Sequence, residues 1–543
     1  MINIKYDYDY IVIGSGFGGS VSAMRLAQKG YKVAIIEEGK TYQATDFAQS
    51  NWNLKKYLWL PKIKLFGIQR LNLLKDIFVL SGAGVGGGSL NYANTLYTPK
   101  DEFFNNSHIK QIGNKQNLLK YYELAKKMLG ATINPKLGIA DEILKDTIKE
   151  YDKEKSCKPT TVAVYFGTEG KTVTDPYFYG EGPDRTGCDF CGCCMTGCRK
   201  NSKNTLDKNY LYFAKKFNCQ IIDNSKVIKI SPLDEKGATG YKITTSKSDS
   251  ILSKRQTYTC RATVLSAGVL GTLKLLLKMR AQNIMPNINK NIGKFVRTNS
   301  ESIISVKARN KNYDFSTGVA ITSSVYPDNA THIEPVRYGA GHDAMSLLSV
   351  LLTDGGGKIP RFVRYLKNVL FNPIDFLKVL NPIGSAKKNL ILLVMQTCDN
   401  YLNLSLKHNR LTSCQSDKKN PVYIPIANDF CRKIAKKING IACGVITEVY
   451  MNIPITAHIM GGCNIGNQDD TGVTDKHNRL NNYQNFLIID ASTIPANLGV
   501  NPSLSITAFA EKAMSHIPAK KGEKIKYLEA EKQWQTTELL QSY

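Results

Sequence analysis

Apolar runs without polar alternation mark the ends of the chain. Tyr10–Ile13 is short and β-rich, the pattern of a strand buried on both faces. From Ser20 to Gln28 the period lengthens, with Val21, Met24 and Ala27 on one side of a predicted helix that Gly30 ends. A second strand is predicted over Lys32–Ile36, and Glu37 follows it. Far along the chain, Val264–Ala267 and Phe486–Asp490 read as two more buried strands, the first running into a glycine turn and the second ending on an acid. Two basic, aromatic stretches depart from this pattern. One is WNLKKYLWLPKIKLFGIQR at 52–70. The other lies at 358–388, where Phe362, Leu366, Val369 and Leu370 share one helical face and Arg361, Arg364, Lys367 and Lys378 flank it. A basic helix with an aromatic–aliphatic face suits a lipid interface, and both stretches could border a lipid entrance. The alternative for 358–388 is a buried helix of a substrate domain.

The first turn between strand and helix carries chemistry. Gly14-Ser15-Gly16-Phe17-Gly18-Gly19 fits G-x-G-x-x-G. Gly14 allows the tight turn, Gly16 lets backbone approach a pyrophosphate, and Gly19 lets helix and strand pack closely. The helix N-terminus offers free N–H groups to the phosphates. Glu37 can accept a bond from a ribose hydroxyl. Strand, glycines, helix, strand and acid together predict a dinucleotide site. A second glycine-rich loop, SGAGVGGGSLNYAN at 81–94, would let backbone pass against a flat ring system, so the dinucleotide is expected to be FAD. Its candidate contacts are Gly82, Gly86, Gly87, Ser89 and Asn94.

The 543 residues suffice for two or three core-bearing units. A net charge of +27 points to an anionic partner such as a lipid surface, or to a solvated, lysine-biased surface. Nucleic acid is not expected, because no zinc-finger pattern, RGG-like tract or clustered basic arm occurs. The N-terminus lacks the charged leader, apolar core and cleavage site of a secretory signal, and no apolar run reaches the ~18 residues of a membrane span. A cytoplasmic protein able to touch a membrane is the expectation. Thirteen mostly scattered cysteines argue against a disulfide framework. The exception is CDFCGCCMTGC, where Cys188, Cys191, Cys194 and Cys198 have the spacing C-x2-C-x2-C-x3-C of an iron–sulfur run. Arg199 stands where proline usually follows, and no sister run exists, so zinc and plain buried thiols stay open beside a cluster.

The motifs GSGFGGS, SGAGVGGGSLNYANTLY and HIMGGCNIG…LIIDASTIPANLGVNPSLSITAFAEKAM, with VLSAGVLGT and GKFVRTNSES, resemble those of the glucose–methanol–choline (GMC) oxidoreductases, in their cholesterol oxidase-like branch. The resemblance implies an α/β fold, α+β overall. A Rossmann-type FAD-binding domain is built from discontinuous segments (1–50, 78–135, 200–300 and 455–518), and a substrate-binding domain with a mixed or antiparallel sheet spans 301–454. Residues 51–77 would form a lid or entrance segment, 136–199 a cysteine-containing insertion and 519–543 a polar tail. It implies that Asp490, Ala491 and Pro502 lie by the pyrophosphate and flavin, and Val227 by the adenine. It also implies that His458 and Asn501 act on the substrate hydroxyl, and that Glu334 moves a proton if a 5-ene product is isomerised to the 4-ene. For Glu334 the alternative is an ion pair with Arg337. The implied reaction is oxidation of a sterol or related lipid alcohol, with oxygen or another electron acceptor; the alternative is a dehydrogenase of the same family for other steroid or long-chain alcohols that passes electrons to a non-oxygen acceptor.

Overall fold

The computed structural model describes residues 5–250, 254–466 and 472–541. Its central sheet has seven strands. Gln220–Ile222, Val33–Ile36, Tyr8–Ile13 and Arg255–Leu265 lie side by side and parallel. Arg255–Leu265 is long enough to serve two neighbours on its other side. Its first half pairs antiparallel with Tyr241–Lys247, which pairs in turn with Ser225–Pro232, and its second half pairs parallel with Phe486–Ile488. Ile11, Val12, Val264, Leu265, Phe486 and Ile488 are all buried, as their unbroken apolar pattern predicts for strands covered on both faces.

Helix Phe17–Gln28 packs between this sheet and helix Ser503–Ser515. Both helices are buried nearly all round. Arg25, inside the first, forms ion pairs with Glu511 and Glu531. The C-terminal stretch is therefore anchored: Glu531 belongs to helix Glu529–Gln541, and Leu528 and Ala530 are buried beside it.

A second, antiparallel sheet runs in the order Thr331–Val336, Asn389–Gln396, Ser302–Ala308, Gly440–Val445, Ser349–Leu351. Helix Pro425–Lys437 covers it and closes a separate apolar core around Ile304, Val306, Leu392, Phe430 and Ile434. Two small ladders join the sheets' territories. Phe78–Gly82, which leads into the second glycine-rich loop, pairs with Ile455–Thr456, and Val296–Arg297 pairs with Met460–Gly461. These ladders bring residues 81–94, 296–301 and 455–461 together.

No described helix is long and apolar enough to cross a membrane. Helices Arg361–Phe371 and Pro373–Leu380 nevertheless expose Val363, Leu366, Leu370, Phe371, Ile374, Leu377 and Leu380, with Leu370 at 79% and Phe371 at 72%. The expected single apolar face is in fact two. Phe362, Tyr365, Val369 and Phe376 turn inward onto Val350, Leu351 and Cys443, while the exposed set faces solvent. Arg361 belongs to neither flank. It is buried and donates to the carbonyls of Thr353, Val422 and Glu448, which corrects its expected place at a lipid face. Asp375, the acid of this stretch, is held by Arg309.

Candidate active site

At the predicted dinucleotide turn, Gly14 has φ +96° and a Cβ there would lie 2.3 Å from the Ser266 carbonyl oxygen. A Cβ on Gly19 would lie 2.0 Å from the Gly14 carbonyl oxygen. Gly16 differs: nothing lies within 4 Å of where its Cβ would be. Packing demands the first two glycines, whereas Gly16 leaves backbone open to a ligand. Gly87 of the second loop comes up against Gly16, since its own Cβ would lie 2.7 Å from the Gly16 Cα.

Glu37 sits at the end of its strand, buried. It accepts from the Ser15 backbone at 3.0 Å and side chain at 2.7 Å, and from Gly39 N at 2.8 Å. Burial raises its pKa against the pull of those bonds. Strand Ser225–Pro232, which carries Val227, starts beside it, with Ser225 N on the Glu37 carbonyl at 2.8 Å. Asp490 caps the turn Ala491–Thr493 and accepts from Thr272 Oγ1 at 2.6 Å; burial raises its pKa too. Ile489, one residue earlier, has its carbonyl 1.9 Å from a notional Cβ on Gly18. Ser89 is buried between Gly86 and Leu206, and Gly82 packs against Gly88 and Asn91. Pro502 caps helix Ser503–Ser515. Asn94 is fully buried at φ +70°, and its side chain has no partner beyond the Cys194 thiol beside it. Buried amides are rarely left so, and a polar cofactor would satisfy them. The open Gly16 and the nearly partnerless Asn94 fit a bound FAD.

The three residues expected to do chemistry come from distant segments and meet. Asn501 Nδ2 lies 3.3 Å from Glu334 Oε2 and 3.4 Å from His458 Nε2. Asn501 Oδ1 and Glu334 Oε1 are buried without partners, leaving polar capacity facing the site. Glu334 lies within strand Thr331–Val336 and is fully buried. Burial pushes its pKa up to about 8, Asn501 and Tyr97 pull it back, and the charge of Glu301 raises it further. The alternative ion pair with Arg337 is not formed. Arg337, just past the end of that strand, donates to the Thr317 carbonyl and Thr322 Oγ1 instead.

Sequence reasoning missed two residues. Glu301 is buried, hydrogen-bonds His458 Nδ1 through one carboxylate oxygen and accepts from Ala457 N at 2.8 Å through the other. This contact holds the imidazole by its Nδ1 side and leaves Nε2 turned towards Asn501. Asn299 and Ser300, both left-handed at φ +61° and +49°, turn the chain so that Glu301 points inward. Asn299 also braces the loop that carries Asn501, donating to the Val500 carbonyl at 2.9 Å and accepting from Gly499 N at 2.8 Å. The signal was present in the polar run RTNSES, which contains the only acid between Val296 and Ile303. The other is His332, buried and stacked on Tyr326 at 4.4 Å, with Nε2 3.9 Å from Glu334 Oε1. Burial lowers its pKa to about 3, so it adds no charge beside Glu334.

Among the described residues, no three histidine, cysteine or carboxylate side chains surround a point where one metal ion would sit. Cys188, Cys191, Cys194 and Cys198 form no such single-ion group, although all four line one small cavity.

The GMC oxidoreductase family profile matches residues 181–294 and 422–510, and a pyridine nucleotide-disulphide oxidoreductase profile matches 8–86. The chain is 46% identical over 530 residues to a cholesterol oxidase of Acinetobacter baumannii, covering 95% of both. The chain belongs to the GMC oxidoreductase family. A cholesterol oxidase of Mycobacterium tuberculosis is 44% identical over 536 residues, covering 95% of this chain and 92% of that one. The crystal structure of pyridoxine 4-oxidase from Mesorbium loti superposes with a TM-score of 0.60 at 12% identity, over 93% and 98% of the two chains, and shows the shared fold. As a GMC oxidoreductase, this chain is an FAD-dependent enzyme acting on CH–OH donors.

Proposed function

We propose that this GMC oxidoreductase oxidises the hydroxyl of a sterol or related lipid alcohol to the ketone, with oxygen as acceptor, and moves the 5-ene double bond to the 4-ene position. The observation that carries the reading is the convergence of His458, Asn501 and Glu334 on one buried site, in a chain whose 44–46% identical relatives are cholesterol oxidases. Bound FAD supplies the hydride acceptor. His458 Nε2 holds the substrate hydroxyl and takes its proton, with Glu301 holding the ring at Nδ1 and stabilising its charged form. Asn501 orients the hydroxyl oxygen, and its 3.4 Å contact with His458 is long enough for a substrate to displace. Glu334, buried and raised in pKa, shuttles the proton between carbons. The segment boundaries read from the sequence are proposed as the domain limits, with the cofactor held by the discontinuous part.

The substrate arrives from a lipid surface. Leu366, Leu370, Phe371, Ile374 and Leu377 form an exposed apolar face, and Lys367 and Lys378 stand beside it. Exposed apolar area of this extent rimmed by cations suits an anionic bilayer. Trp52, Leu54, Leu60 and Ile63 of the first basic stretch are exposed as well. Residues 343–344 link the residue just before the first stretch to the end of the second: Ala344 N donates to Asn51 Oδ1, while Asp343 accepts from Gly384 N and Ala386 N. A panel of sterols and linear long-chain alcohols, followed by oxygen uptake and product analysis, tests the reading. Ketone formation from sterols is expected. Turnover of linear alcohols with sterols untouched would overturn it.

A further inference from the structure

One constellation has no part in the chemistry above. Cys188, Cys191, Cys194 and Cys198 all line a single small cavity of about 20 Å³, together with Cys193, Asp189 and Lys203. All are free thiols. The loop is shaped to turn them inward. Phe190, Gly192 and Gly197 are left-handed, at φ +55°, +73° and +97°. Phe190, a side chain that rarely takes this conformation, is stacked on Phe166 at 5.6 Å, and its N–H donates to Cys188 Sγ at 3.4 Å. Behind the cavity Lys203 is 2% exposed. Its Nζ donates to the carbonyls of Cys194 at 2.8 Å, Leu90 at 3.0 Å and Tyr92 at 2.9 Å. A buried lysine thus stands between the thiols and the backbone of the second glycine-rich loop.

A single zinc bonds each sulfur at ~2.3 Å, so four thiolates around it lie within about 4 Å of one another. These thiols surround a common space without meeting that condition. A four-iron cluster carries its irons at separate corners and spreads its thiolates wider, and C-x2-C-x2-C-x3-C is its run. The cavity's small size for water is compatible, because ligated iron bonds to the walls well inside the distance a water molecule keeps. We propose that Cys188, Cys191, Cys194 and Cys198 ligate one [4Fe–4S] cluster, with Lys203 offsetting its negative charge and the Phe190 N–H bonding a ligand sulfur. Cys193 is not a ligand; its sulfur engages the Cys191 carbonyl and His342 Nε2, each at 3.4 Å.

The cluster supplies a second route for electrons. The oxidation of CH–OH to C=O releases two electrons and two protons. Each electron takes the cluster from its 2+ to its 1+ state and leaves to a one-electron acceptor, a quinone or small redox protein docking beside the exposed Cys191, while the protons go to water. The route rests on the flavin chemistry proposed above; the site does not.

The test is anaerobic purification of the full chain, with iron, zinc, acid-labile sulfide and FAD counted per chain, and electron paramagnetic resonance after dithionite reduction. About four irons and four sulfides with a reduced-cluster signal are expected. Iron should be lost in Cys191→Ser and Cys194→Ser and kept in Cys193→Ser and Cys414→Ser. Less than one iron per chain after reconstitution of the wild type with FAD bound, or one zinc in its place, would overturn the proposal. So would four irons retained in both ligand variants. The wild-type count decides even if a variant fails to fold. Flavin bleaching by substrate, measured in parallel, separates loss of the cluster from failure of the alcohol chemistry.

Discussion

Glu334→Gln removes a carboxyl that burial keeps protonated, and the consequence for stability can be worked through. The native pKa stands at about 8 against 4.5 for the free group. Each unit corresponds to about 1.4 kcal/mol, so the full penalty of ionising Glu334 in the folded protein is on the order of 5 kcal/mol. The sign follows from the direction of the shift. Below pH ~4 the carboxyl is protonated in both folded and unfolded chains and contributes no pH dependence. Between about 4.5 and 8 the unfolded chain releases this proton while the native one keeps it, so stability falls as pH rises. Above about 8 the loss is complete. Glutamine occupies the same volume, can still meet Asn501 and does not titrate. The denaturation midpoint of the wild type should therefore decline from pH 5 to pH 9 more steeply than that of Glu334→Gln. Glu448, raised to about 8 by burial in the same way, contributes equally to both proteins and cancels in the comparison. Urea denaturation followed across that range, with excess FAD held constant, reads the difference. Parallel curves for the two proteins would refute the buried, protonated carboxyl and the proton-shuttle role built on it.

The same variant should still oxidise a 5-ene sterol but stop at the unconjugated ketone, and wild-type isomerisation should rise with pH through about 8; conjugated enone absorbance at the normal rate in the variant would contradict this. His458→Ala and Asn501→Ala should retain FAD and lose at least ~100-fold in turnover, checked by flavin absorbance and steady-state rates. Glu301→Gln removes a charged partner from His458, a bond worth about 1.5–3 kcal/mol, so kcat should fall roughly 10–150-fold with FAD content unchanged, and Glu301→Asp should restore part of it. Reversal of Lys367 and Lys378 to Glu, together with Leu370→Ser and Phe371→Ser, should release the protein from anionic vesicles while soluble-substrate turnover persists; equal co-sedimentation would remove these helices from the lipid surface.

Much of this was legible in the chain because local pattern and packing agree. The Gly14–Gly19 turn, its flanking strands and Glu37 obey short-range rules, and the structure places them as those rules predict. Asn501, His458 and Glu334 are separated by up to 167 residues, and only the motif resemblance united them; no period or spacing encodes that meeting. Glu301 escaped notice because its role depends on two left-handed residues before it and a ladder to Met460, neither of which has a local signature. The helix at 361–371 is apolar on more than one side, so the pattern alone could not assign Arg361 to the interior and Lys367 to solvent. The cysteine run stayed open between cluster, zinc and plain thiols because spacing in sequence does not fix the distances between sulfurs.

The strand Phe486–Ile488 also bears on how the chain is made. It completes the parallel sheet beside residues 263–265, about 220 residues after them. At ribosomal rates of roughly 5–20 residues per second, that gap lasts some 10–45 s. Throughout it the nascent sheet presents an unpaired edge of apolar backbone, and helix Phe17–Gln28 lacks the C-terminal helix that covers it. An unpaired edge of this kind is a template for intermolecular pairing. Yield in the cell should thus depend on rapid synthesis or chaperone cover across residues 265–515, and truncations ending before Phe486 should aggregate however intact their nucleotide-binding turn.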